Sequence, residues 1–222
     1  GVVAVDGAEV DGDDLGVSAT QGPGLLVARA GSLRCVACAV TDAGFAGAMT
    51  MSGGTLRLDG GQIVASRSGG VASGGASVAG GGFGVGAFTS AGAAATVLRV
   101  DDSLVRDHPF AGIVLRGAGS YRVASAIVET SGGAGQGPGL LAQAGTTPWE
   151  AESGLYVFGT LFRQLPNDAV LLDGASGTLS GNVFDGVGQL ELYRQACAGV
   201  PAPVVAESLS SNDCAGPPRE LG

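Results

Sequence analysis

Lysine is missing from this 222-residue chain: all eleven basic residues are arginine, set against twenty acidic ones, for a net charge of −9. So acidic a chain excludes non-specific binding to nucleic acid or to an anionic membrane surface as its expected role, because both depend on a positive field. Histidine and tryptophan occur once each, as His108 and Trp149. With one histidine and four cysteines, the usual zinc ligand sets are hard to assemble. No apolar run approaches the ~20 residues of a membrane-spanning helix. Charged residues make up only 14% of the chain while 45% are apolar, the reverse of the balance that keeps a chain disordered. No secretory signal is visible, and Gly1 already lies inside the pattern described next, so the chain reads as a mature protein or a fragment.

Glycine is what the chain has in excess, with 42 residues. In an apolar chain these are expected to be turn residues of an ordered repeat, supplying positive φ. Repeats are present. Gly1-Val2-Val3, Gly24-Leu25-Leu26, Gly47-Ala48-Met49 and Gly70-Val71-Ala72 recur 23 residues apart. Gly92, Gly112-Ile113-Val114, Gly139-Leu140-Leu141 and Asp168-Ala169-Val170 continue the beat at intervals of 20 to 29. A second line reads Leu33-Arg34-Cys35, Leu56-Arg57-Leu58, Leu98-Arg99-Val100, Tyr121-Arg122-Val123 and Leu155-Tyr156-Val157. A third carries the pairs Ala39-Val40, Ile63-Val64, Leu104-Val105, Ile127-Val128, Leu161-Phe162 and Val183-Phe184.

Three short, glycine-broken segments per unit of 20–29 residues exclude a helical repeat. The unit is too short for a propeller blade and lacks the Leu/Asn ladder of a leucine-rich repeat. The pattern predicts an all-β, right-handed parallel β-helix with three strands per turn and about seven to eight turns, spanning residues 1–194. On this beat the chain resembles the pectin-lyase-like β-helix superfamily, in the style of secreted bacterial repeat proteins. The resemblance implies a fold and a habit of carbohydrate contact rather than an activity. The histidine–glycine and arginine–lysine motifs of that superfamily's enzymes are not matched, and without lysine the hydrolase pattern cannot be completed.

Residues 195–222 are proline-rich and read as a C-terminal cap, since an open solenoid end exposes unpaired backbone. Cys197 and Cys214 are expected to close this tail as a disulfide, which would contribute about 3 kcal/mol. Such a bond points to an oxidising compartment, hence to a secreted or cell-surface protein. In the stretch "CVAC", alignment with Val123 turns Cys35 into the core. There it is either a small apolar residue or the partner of Cys38 across a turn.

Alternation along the second line puts Arg34, Arg57, Arg99 and Arg122 outward on one face, with Asp11 before them and Tyr156 after. The separation of 42 residues between Arg57 and Arg99 is read as two turns, with Ala79 near the gap. Guanidinium groups on adjacent turns repel at about 4.8 Å unless anions intervene. Either Asp59, Asp101 and Asp102 neutralise them, or the face grips an anionic ligand, for which arginine's bidentate geometry is suited. A longer connection, "AQAGTTPWEAES", carries Trp149, Glu150 and Glu152 beside this face. An aromatic surface next to two carboxylates suits sugar stacking and acid–base work on a glycoside, or simple packing of the loop.

Weaker candidates remain. "RVDDSLVRDHP" gathers Asp101, Asp102, Arg106, Asp107 and His108, either as a site or as turn formers. Asp11, Asp13 and Asp14 in "VDGAEVDGDDLG" are the candidates for calcium, although they fit no EF-hand order. "GGGFGVG" lacks the lysine and helix of a phosphate loop. The threonines do not fall on the beat, which excludes a flat threonine ladder.

Two functions follow as expectations. The first is an extracellular structural or binding module, taking acidic glycans along the arginine face or a protein partner at the solenoid ends, with no cofactor other than calcium in view. The second is a polysaccharide lyase or glycosidase using the same face, with Glu150, Glu152, Asp101 and Asp102 as candidate catalytic groups.

Overall fold

The computed structural model describes residues 1–67, 81–131, 137–143, 154–173, 175, 177–187, 193–195 and 213–214. They form a right-handed parallel β-helix of about seven turns, built from three parallel sheets in which each strand pairs with its counterpart one turn away. Sheet one runs through Val2–Ala4, Leu25–Ala28, Ala46–Met51, Phe83–Phe88, Ala111–Arg116, Leu140–Gln143, Val170–Asp173 and Tyr193–Gln195. Sheet two stacks Glu9–Asp13, Ser32–Val36, Thr55–Asp59, Thr96–Asp101, Gly119–Ala124, Gly154–Phe158 and Gly177–Ser180. Sheet three stacks Gly16–Ser18, Ala39–Thr41, Gln62–Val64, Leu104–Arg106, Ile127–Glu129, Leu161–Arg163, Val183–Asp185 and Asp213–Cys214.

Period-two alternation fills the interior. From sheet two, Leu33, Leu56, Leu98, Tyr121 and Leu155 form one inward column, and Cys35, Leu58, Val100, Val123, Val157 and Leu179 the next; all are at most 1% exposed. Burying an aliphatic side chain of this kind is worth ~1.5–3 kcal/mol. A single turn buries no complete core, so stability accumulates by stacking. Tyr121 brings a hydroxyl into this interior and donates it to the Gly117 carbonyl at 2.9 Å.

The glycine beat has a steric cause. A Cβ on Gly24 would lie 2.3 Å from Val40 Cγ1, one on Gly47 would lie 2.1 Å from Ile63 Cγ2, and one on Gly112 would lie 2.7 Å from Val128 Cγ1. Where sheet three turns into sheet one, the inward side chain of sheet three occupies the space a Cβ would need. The expectation that glycine mainly supplies positive φ is therefore corrected. Among the described residues thirteen non-glycine positions have positive φ, against ten glycines. Many of these non-glycines stack at the corners. Asp14, Ala37, Asp102 and Ser125 turn the chain from sheet two to sheet three, and each sends its backbone N–H to a carbonyl of the following turn. Those backbone bonds between successive rungs offset the ~1–2 kcal/mol cost of a left-handed residue.

Register corrects several further expectations. Residues 70–72 fall outside the described residues, and the sheet-one strand of that turn is Phe83–Phe88, with Val85 beside Ala48. Gly92 sits in a turn at φ 73° rather than on a strand. Arg57 pairs directly with Arg99, so their separation of 42 residues is one long turn, not two, and turn length exceeds the 20–29 expected. Val170 pairs with Leu140, one position away from the predicted alignment.

The outward face of sheet one carries a second apolar cluster that the repeat did not announce. Leu26, Met49, Val114 and Leu141 are buried there together with Phe45, Phe83 and Phe88. Phe83 meets Phe45 edge-on at 5.4 Å and Phe88 at 5.5 Å. Two rings cover Gly86, where a Cβ would sit 2.4 Å from Phe83 and 2.7 Å from Phe88. Sheet one is thus apolar on both faces, and the charged outward faces belong to sheets two and three.

The stretch "CVAC" closes as a disulfide between Cys35 and Cys38, with Cα atoms 5.7 Å apart. Cys35 points inward as expected, and the bond ties the end of a sheet-two strand to the start of sheet three with both residues fully buried. Of the expected Cys197–Cys214 pair, Cys197 lies outside the described residues. Among the described residues no helix is long and apolar enough to cross a membrane.

A candidate anion-binding face on sheet two

The outward column of sheet two reads Asp11, Arg34, Arg57, Arg99, Arg122, Tyr156, Thr178, each in register with the next. Four guanidinium groups therefore occupy four consecutive rungs without a gap, about 4.8 Å apart. All four arginines and Tyr156 are exposed. The neighbouring column, two residues along each strand, reads Asp13, Val36, Asp59, Asp101, Ala124, Phe158, Ser180.

This second column neutralises the first only at one end. Arg122 Nε lies 2.8 Å from Asp101 Oδ1, and its guanidinium carbon lies 4.8 Å from the centre of the Phe158 ring. Asp13 stands diagonally to Arg34 and Asp59 diagonally to Arg99, yet among the described residues neither pair closes as a salt bridge. Beside Arg57 the corresponding position is Val36, and Arg57 makes no ion pair among the described residues with Asp59 on its own strand or with Asp101 on the next turn. Arg34, Arg57 and Arg99 are the cations of this face that carry no ion pair among the described residues.

Sheet three solves the same problem differently. Its outward column runs Val64, Arg106, Glu129, Arg163, Asp185 in register, so charges of opposite sign alternate from rung to rung. Glu129, only 8% exposed, bridges Arg163 and Arg106. Arg106 also approaches Asp107 at 3.6 Å. Asp107 in turn accepts the Ser131 backbone N–H at 2.6 Å.

His108, read as part of a site, is interior. Its ring is buried beneath the corner, where Nε2 lies 3.0 Å from the Ile63 carbonyl and Nδ1 lies 2.8 Å from Ser66 Oγ and 3.2 Å from Ser66 N. Since the Ser66 backbone can only donate, Nδ1 is the acceptor and Nε2 carries the hydrogen. Burial lowers the imidazole pKa to about 4, against smaller opposing effects of the Ile63 carbonyl and Asp107. His108 is thus a neutral structural group with no route to a solvent substrate.

The remaining candidates separate. Asp101 is engaged by Arg122, and Asp102 occupies a corner at φ 49°. Asp11 and Asp13 lie on one face of their strand and Asp14 in the corner beyond it. Among the described residues no group of three or more His, Cys, Asp or Glu side chains converges on a point. Trp149, Glu150 and Glu152 lie outside the described residues. Of the partner column, sequence reading named Asp59 and Asp101; what it missed is Phe158, whose place two residues after Tyr156 was a signal that was present.

No known protein family, curated protein or solved structure matches this chain.

Proposed function

We propose that this chain is an extracellular β-helix of the pectin-lyase-like kind that binds acidic glycans, non-catalytically, along the arginine column of sheet two. The observation that carries the reading is the run Arg34, Arg57, Arg99, Arg122 on consecutive rungs, with three of them unpaired. Sheet three of the same molecule alternates charge from rung to rung. A fold that alternates charge where charge is structural, and stacks like charge on an adjacent face, keeps the latter for an external anion. Carboxylate or sulfate groups fit the bidentate guanidinium fork, and an extended pyranose chain advances by a distance similar to the rung spacing. The buried Cys35–Cys38 disulfide supports an oxidising compartment.

Turnover of the same ligand would need an acid or base on this face; Asp101 is held by Arg122, which leaves Asp13 and Asp59 as the carboxylates of that column without an ion pair among the described residues, so cleavage is followed beside binding. The test is binding of uronate-rich and sulfated polysaccharides to the wild type and to Arg57→Ala/Arg99→Ala, with chain cleavage followed in parallel. The expected result is at least a tenfold loss of affinity in the double variant, with no loss of thermal stability, because only repulsion is removed. Equal binding by both proteins would sink the reading.

A further inference from the structure

We infer that Asp101 sets the length of the anionic segment this face accepts: three consecutive charges at Arg34, Arg57 and Arg99, followed by an uncharged ring. The inference rests on the proposed binding of acidic chains to sheet two and goes beyond it. It starts from the one arginine of the column that is not free. Arg122 is held on one side by Asp101 at 2.8 Å, from the preceding turn, and on the other by the Phe158 ring at 4.8 Å, from the following turn. The geometric equivalents of that carboxylate, Asp13 and Asp59, leave their diagonal arginines unpaired. The difference is the ring: among the described residues, Arg122 is the arginine of this column with an aromatic ring against its guanidinium.

Two consequences follow for a ligand lying along the column. At the fourth rung, a ligand carboxylate would have to compete with Asp101 for a cation already neutralised, whereas at Arg34, Arg57 and Arg99 no ion pair among the described residues stands in its way. At the fifth, Tyr156 is 54% exposed and Phe158 38% exposed, a surface that suits stacking of a neutral sugar ring over charged contact. The face therefore changes character along its axis, from three open cations to a neutral aromatic step. Asp101 marks the change. Its role is to set specificity by occupying Arg122.

The experiment compares a hexamer of uronic acid residues with the same hexamer carboxyl-reduced to neutral sugars over two residues at one end or the other. Each is titrated into wild type, Asp101→Asn and Arg57→Ala at several salt concentrations. Wild type is expected to prefer one of the partly neutral hexamers. Asp101→Asn, isosteric and free to fold, should release Arg122 and bind the fully charged hexamer about two- to fivefold more tightly. Its salt dependence should steepen by up to about one released counterion. Arg57→Ala should lose binding of all three ligands. If Arg57→Ala loses binding while Asp101→Asn keeps the wild-type preference and salt slope, the inference is overturned and the binding face stands. Full binding by Arg57→Ala, or no binding by wild type, removes the face itself and this inference with it.

Discussion

His108 shows how a single side chain can carry pH dependence without taking part in function. It is enclosed as a neutral ring between Ile63 and Ser66, and its pKa is lowered to about 4 by burial. In the unfolded chain it takes up a proton below about 6.5, whereas the folded protein resists until about 4. Stability is therefore complete above pH 6.5 and falls as pH drops toward 4, by about 3 kcal/mol from this residue alone. Denaturant unfolding at pH 7 and pH 5 should show the loss. His108→Gln, which keeps a donor toward the Ile63 carbonyl, should flatten the difference. An unchanged pH dependence in that variant would mean that the ring is not held neutral.

At the scale of strands and corners, the Cys35–Cys38 bond closes a very short loop, for which the chain-entropy argument gives about 2 kcal/mol. Replacing both cysteines with alanine should lower stability by about that much. Because both residues are fully buried, reductant followed by a thiol label should leave the native protein unmodified and label it only after unfolding. Labelling of the native state would contradict the packing described. Five strands of sheet two were legible in the sequence because each sets an outward arginine or tyrosine between two inward residues, as in Leu98-Arg99-Val100; Gly177–Ser180, with a glycine and a threonine at the first two of those places, was not. The strand Phe83–Phe88 was not. Gly84 and Gly86 interrupt its apolar pattern, and Gly70-Val71-Ala72 offered a match at the expected interval. The outer cluster of sheet one was hidden for another reason: a run such as Gly112-Ile113-Val114-Leu115 is apolar at every position, so alternation cannot say that both faces are covered. The corners were illegible because their positive-φ positions accept Asp, Ala, Ser or Gly alike, once a backbone bond to the next turn holds them. Of the candidate site, the outward facing of each arginine was readable from alternation alone, but the direct neighbouring of Arg57 and Arg99 was not, since the sequence put an extra turn between them. The free or paired state of each arginine was not, since it depends on neighbours contributed by other turns.

For the whole molecule, a net charge of −9 sets a far field opposite in sign to the column on sheet two. At 0.01 M salt the screening length is about 30 Å, and an approaching polyanion feels the entire acidic protein; at 0.15 M it is about 8 Å, and the nearest arginines dominate. Affinity for an acidic polysaccharide should therefore pass through a maximum at intermediate salt, instead of falling steadily. Titrations from 0.01 to 0.5 M would check this, and a monotonic decline would show that the global charge plays no part. The direct pairing of Arg57 with Arg99 reaches further than charge. Their distance along the axis is fixed by interstrand hydrogen bonds and takes no notice of how many residues the chain spends between them. The solenoid thus behaves as a graduated rail, on which an insertion at a corner changes what projects sideways and leaves every mark on the scale where it was. A lineage of such proteins is free to lengthen, shorten or exchange its excursions while the reading interval of the rail stays constant.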